Sequence, residues 1–156
     1  MIWSAAQGLV AVVLTTRRAL AVTPGASQWQ VVNWRASEEP VDAAVLSDRL
    51  ALLSTHMRVL AFDSVAGSWF ESNIGPGEEV TELAAGQNSG VVVTNRRALG
   101  IGPDARGFFD IDLHLHEDIE RVSADANLAT IMTSQRVLVF RSQAGSWSEH
   151  ARRIHR

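Results

Sequence analysis

The sequence predicts an all-β protein made of four copies of one unit, each copy a sheet of four short antiparallel strands. Three marks carry that prediction. The skeleton Thr-x-x-Arg-(Ala/Val)-Leu, set between two apolar runs, occurs at Thr15–Leu20, Thr55–Leu60, Thr94–Leu99 and Thr133–Leu138, in steps of 40, 39 and 39 residues. An aromatic residue after a small-residue turn keeps the same steps at Trp29, Trp69, Phe108 and Trp147. A β-branched residue after an acidic pair recurs in Glu38-Glu39-Pro40-Val41, Glu78-Glu79-Val80 and Glu117-Asp118-Ile119, and one further step back reaches Ile2. Self-similarity at a fixed period of this size marks a repeat architecture.

Each unit divides into four segments. The first starts at Ile2, Val41, Val80 or Ile119 and carries small residues such as Ala5, Ala6, Ala44, Ala84 and Ala124. The second, Val91–Val93 and its counterparts, is apolar without alternation, as expected of a strand covered on both faces. The Thr-x-x-Arg link is polar and short enough for a hairpin. Segment three holds Leu20, Leu60, Leu99 or Leu138, and a loop rich in Pro, Gly, Asp and Ser leads to the aromatic-led segment four. Helix has no place in this parse. No stretch of 11 or more residues shows uninterrupted 3.6-residue apolar spacing.

Composition fits a folded domain. The chain has 156 residues, 46% hydrophobic and 20% charged, enough to bury a core. It has no cysteine, which excludes disulfides and thiolate metal sites and fits a cytoplasmic setting. No apolar run approaches the roughly 20 residues of a membrane-spanning helix, so no membrane association is expected. Net charge is −3, and every one of the 14 Lys/Arg positions is arginine. An acidic whole with only a small basic tail, Arg152-Arg153-Ile154-His155-Arg156, argues against nucleic-acid binding.

Four strands in each of four units resemble the β-propeller superfamily, and the resemblance covers essentially the whole chain. It implies one four-bladed domain over 1–156, with blades at about 2–36, 41–76, 80–115 and 119–156. The Trp-Asp signature of WD40 blades is missing, so no subfamily is indicated. A β-trefoil has units of similar length but three of them. A half-ring pairing with a second copy into eight blades is the other arrangement this pattern allows, so the chain is expected as a monomer or a homodimer. In a four-bladed ring, closure comes from packing blade 1 on blade 4, and Trp29, Trp69, Phe108 and Trp147 fill the wedges between blades.

Two constellations stand out. Arg18, Arg58, Arg97 and Arg136 recur on one rim, as an anion-binding annulus requires. The same repetition suits a structural salt bridge to the acidic pairs. The second constellation is Asp110-Ile111-Asp112-Leu113-His114-Leu115-His116, where alternation along a strand sets Asp112, His114 and His116 on one face as candidate metal ligands. A polar edge strand gives the same pattern. No nucleophile elbow, phosphate loop or catalytic histidine pair is present, and no cofactor or catalytic residue is expected. The expected function is non-enzymatic: a scaffold recognising a protein or small ligand through rim loops. Lectin-like sugar binding between blades and a metal-dependent hydrolase are the alternatives.

Overall fold

The computed structural model describes residues 3–39, 43–103 and 106–153. Ile2 and Val41, two of the repeat marks, and the last three residues of the basic tail lie outside the described residues. Blade 1 consists of β1 (Trp3–Gln7), β2 (Val10–Leu14), β3 (Arg18–Val22) and β4 (Gln30–Asn33). Blade 2 has β5 (Ala43–Leu46), β6 (Leu50–Ser54), β7 (Arg58–Asp63) and β8 (Ser68–Asn73). Blade 3 has β9 (Val80–Ala85), β10 (Gly90–Thr94), β11 (Arg97–Ile101) and β12 (Phe109–Asp112). Blade 4 has β13 (Ile119–Ala124), β14 (Leu128–Thr133), β15 (Arg136–Arg141) and β16 (Ser146–Ala151). Every sheet is antiparallel with strands in chain order, and no helix occurs among the described residues.

The repeat also fixes the register. The skeleton leucine faces its β-branched or leucine partner in each blade: Leu20 opposite Val13, Leu60 opposite Leu53, Leu99 opposite Val92 and Leu138 opposite Ile131. The first strands lie beside one another, β5 against β1 and β9, and β9 against β13. Their small residues permit that approach.

Because successive side chains leave a strand on opposite faces, each blade has a leading face toward the preceding blade and a trailing face toward the next. Between blades 1 and 2 the trailing Val12, Leu14 and Ala21 meet the leading Leu53, Leu60 and Phe62. Between blades 2 and 3, Leu52, Val59 and Ala61 meet Val92, Leu99 and Ile101. Between blades 3 and 4, Val91, Val93 and Ala98 meet Ile131, Leu138 and Phe140. Each fully buried large side chain in these joints contributes about 1.5–3 kcal/mol. Among the described residues, no hydrophobic cluster joins blade 4 to blade 1.

The rim aromatics show the same polarity. The Trp69 ring packs on Phe62 at 5.4 Å, and its indole N–H donates to the Gln30 carbonyl of blade 1 at 3.1 Å. The Trp147 ring packs on Phe140 at 5.2 Å, and its N–H donates to the Phe109 carbonyl of blade 3 at 2.8 Å. Phe108 joins the cluster between blades 2 and 3. Trp29 departs from the expectation: it fills no wedge and is 45% exposed. Trp69 and Trp147 reach back to the preceding blade, whereas among the described residues no hydrophobic cluster covers the corresponding face of blade 1.

Candidate functional site

Three of the four repeated arginines form one network, built three times. Arg58 lies on the leading face of blade 2, where its Nε and Nη2 donate to the two carboxylate oxygens of Glu38, both at 2.9 Å. Its Nη2 also donates to the Asn33 carbonyl at 2.8 Å, and Nη1 to Glu71 at 2.5 Å. Arg97 repeats the pattern with Glu78, the Asn73 carbonyl and Asp110. Arg136 repeats it with Glu117, the Asp112 carbonyl and Glu149. Each arginine therefore ties its own blade to the last strand of the blade before it and to the linker between them.

The threonine of the skeleton completes the cluster. Thr55, Thr94 and Thr133 donate their hydroxyls to Glu38, Glu78 and Glu117 at 2.7, 2.9 and 2.6 Å. The same hydroxyl oxygens accept the backbone N–H groups of Arg58, Arg97 and Arg136, which closes the hairpin. Each carboxylate also accepts the N–H of the residue three before it: Arg35, Gly75 or His114. The linker reaches this geometry through a left-handed residue just before the glutamate, Ser37 (φ 64°), Gly77 (φ 72°) or His116 (φ 60°).

Buried carboxylates normally resist ionisation, so the donors decide their charge. Burial alone would raise the carboxyls of Glu38, Glu78 and Glu117. The paired guanidinium, the backbone N–H and the threonine hydroxyl outweigh it and lower all three, Glu117 to about 2. The Glu38 and Glu117 side chains have no exposed surface, and Arg58 and Arg136 have 6%. These are fully satisfied ion pairs.

Arg18 is different. It is exposed, blade 1 carries Val31 where blades 2, 3 and 4 carry Glu71, Asp110 and Glu149, and no ion pair forms at Arg18 among the described residues. Thr15 still closes its own hairpin by accepting the Arg18 N–H at 3.1 Å. Three of the four arginines are thus engaged in joints, and Arg18 is exposed.

The Asp–His stretch also departs from simple alternation. Strand β12 ends at Asp112, and the chain then turns, so the strand period does not carry His114 and His116 onto the Asp112 face. The His114 ring nitrogen lies 3.1 Å from Gln135 Oε1, and its backbone N–H serves Glu117. Among the described residues no group of three His, Asp or Glu side chains is placed to hold a metal ion. The sequence pairs the arginines with the acidic pairs, Glu39, Glu79 and Asp118 among them; the first acid of each pair, Glu38, Glu78 or Glu117, forms the contact instead. The threonine at a fixed distance from it was the available signal.

Two grooves open on this same rim beside the linker from blade 2 to blade 3. One, of about 590 Å³, runs past Thr55, His56, Ile74, Glu79 and Thr81. The other, of about 570 Å³, is lined by Arg35, His56, Met57, Pro76 and Glu79. His56 and Glu79 are exposed between them.

These blades, with their shared register and inter-blade ties, define a β-propeller fold, four-bladed and all-β. Solved propellers are similar to the chain at low identity. HIRA residues 644–1017 align over 91% of this chain and 51% of their own (12% identity, TM-score 0.53). Hsv2 of Kluyveromyces lactis aligns over 96% and 60% (10%, 0.50). Human WBSCR16 aligns over 92% and 50% (10%, 0.50). The chain spans about half the length of the structures it matches. No protein-family model and no curated protein matches the sequence. No helix among the described residues is long and apolar enough to cross a membrane.

Proposed function

We propose that the chain is a non-enzymatic binding scaffold that recognises a protein or a small ligand with the rim loops of blades 2 and 3. The observation that carries this reading is the pair of grooves meeting at His56 and Glu79, both lined by Glu78, which the Thr94 hydroxyl and the Arg97 guanidinium hold in place. A loop fixed at its base by charge-assisted hydrogen bonds presents its tip at a lower ordering cost on binding. Function carried on loops above a stiff sheet is the general pattern. In this reading Arg58, Arg97 and Arg136 support the surface from beneath.

Sugar binding between blades would use the groove of about 490 Å³ at Trp69. There the indole N–H is already donated to Gln30 and the ring packs on Phe62, which leaves the rim as the better-equipped surface. The test is a photoreactive residue at position 56, with a second at position 65 on the opposite rim. A partner captured at 56 and lost in Met57→Glu supports the rim reading. Equal capture at 65, or none at 56, overturns it.

A further inference from the structure

The three joints inside the chain define what a joint between blades needs. The leading face supplies the skeleton arginine and leucine, a large apolar residue two positions after that leucine, and the rim aromatic. The trailing face supplies aliphatic residues, among them Val12, Leu14, Leu52 and Val91, and two backbone carbonyls. Blade 1 carries these elements in Arg18, Leu20, Val22 and Trp29, with the smaller Val22 at the apolar position and Val31 in place of the acid, and among the described residues no hydrophobic cluster covers that face. Blade 4 has a trailing face that no hydrophobic cluster covers among the described residues: Leu128, Thr130, Met132, Val137 and Val139. Leu128 is 44% exposed, whereas Leu50 at the same position of blade 2 is fully buried.

We propose that these two faces are the halves of one further joint, completed by a second copy of the chain. Blade 4 of each copy docks on blade 1 of the other, and two such joints close an eight-bladed ring with two-fold symmetry. A second copy is the occupant the observations select, because the chain carries both halves.

Residue size supports the match. At the positions that face each other across a joint, Ala21 shares a cluster with Phe62, and Ala61 with Ile101. Gly100 lies so close under the Phe140 ring that a Cβ there would clash with it. A small residue meets a large one each time. The corresponding pair in the open joint is Val139 with Val22: the trailing residue is larger and the leading one smaller, so their sum is kept.

Polar groups match as well. Trp69 and Trp147 donate to the carbonyls of Gln30 and Phe109, each one residue after the preceding rim aromatic. The same offset assigns the Trp29 indole to the Ser148 carbonyl of the second copy. Arg58, Arg97 and Arg136 donate to the carbonyls of Asn33, Asn73 and Asp112, each four residues after that aromatic. The same offset assigns Arg18 to the Ala151 carbonyl. The backbone there has the local geometry of the other blades, since the Arg152 N–H donates to Gln135 as the Leu113 N–H donates to Arg96. With Val31 in place of an acid, this joint has fewer ion pairs than the other three, so it is expected to open on dilution.

The alignments agree in scale: four blades match about half of solved propellers, as consecutive blades in the arc of a larger ring would. The inference does not depend on what the rim binds.

The test uses the full chain in sedimentation equilibrium and exploits its lack of cysteine. The expected result is a dimer at twice the 17.0 kDa chain mass. Leu20→Glu or Val139→Arg puts a charge in the joint and is expected to weaken association at least about 100-fold, with the β-sheet circular-dichroism spectrum unchanged. The double variant Val22→Cys, Val139→Cys is expected to oxidise to a covalent dimer, whereas Val139→Cys alone does not. A monomer at every concentration overturns the proposal, as does a dimer indifferent to both charges. So does a disulfide within one chain, which would mean that the four blades close on themselves. Cross-linking by Val139→Cys alone would mean a face-to-face dimer and also overturns it.

Discussion

Blades 2 and 3 and blades 1 and 4 are written in the same repeat, yet they live in different environments. In the inner pair, β6, β7 and β10 are buried at every residue. In the outer pair, β2, β3, β14 and β15 alternate between buried and partly exposed. The difference is topological: among the described residues, hydrophobic clusters cover both faces of an inner blade and one face of an outer blade. The same sequence position therefore carries different energetic weight. Arg136 sits in a satisfied cluster and Arg18 stands in solvent, and Trp69 is wedged where Trp29 is exposed.

Acid breaks the inner joints together and should give the largest effect. The folded-state carboxyls of Glu38, Glu78 and Glu117 lie below the ordinary value near 4.5, so their stabilisation is complete above that pH. It is lost as pH falls toward 2. Urea midpoints measured from pH 6 to pH 2 should drop through this window, and Glu117→Gln should flatten part of the drop.

One joint at a time is next. Glu117→Ala leaves the Arg136 guanidinium buried without its main partner and should cost about 3–5 kcal/mol by urea unfolding. Arg18→Ala in dilute solution should fall within about 0.5 kcal/mol of the parent. Trp69→Ala should cost about 3–5 kcal/mol, and Trp29→Ala under the same dilute conditions less than about 1. Equal losses at 29 and 69 would erase the contrast between inner and outer blades.

Gly100→Ala tests the tightness of the joint between blades 3 and 4. A methyl group pressed into the Phe140 ring should cost about 1–3 kcal/mol in a thermal melt, and Phe140→Leu should recover part of it. The smallest effect is a gain. His116 holds the left-handed position that Gly77 holds in the preceding linker, so His116→Gly should stabilise by about 0.5–1 kcal/mol. A loss there would give the imidazole a role beyond the turn.

Much of the fold was legible because each strand and turn depends on neighbours a few residues away, and the repeat states the pattern four times. The hairpin at Thr94–Arg97, the apolar pair of central strands and the aromatic-led outer strand were all readable in that way. The candidate site was less so. Asp112, His114 and His116 read as one face only while the strand is assumed to continue, and the chain turns after Asp112. The arginines read as equals, since nothing in Thr-x-x-Arg distinguishes Arg18 from Arg136.

The sequence by itself determined the unit: its four strands, their register and the polarity of its two faces, because backbone pairing and side-chain alternation are local. Tertiary structure decided which copies of a residue are buried, since burial requires a blade on the other side. It also chose Glu38, Glu78 and Glu117 as the acids that meet the arginines, because a bidentate contact depends on where the linker carries the carboxylate and not on its place in a pair.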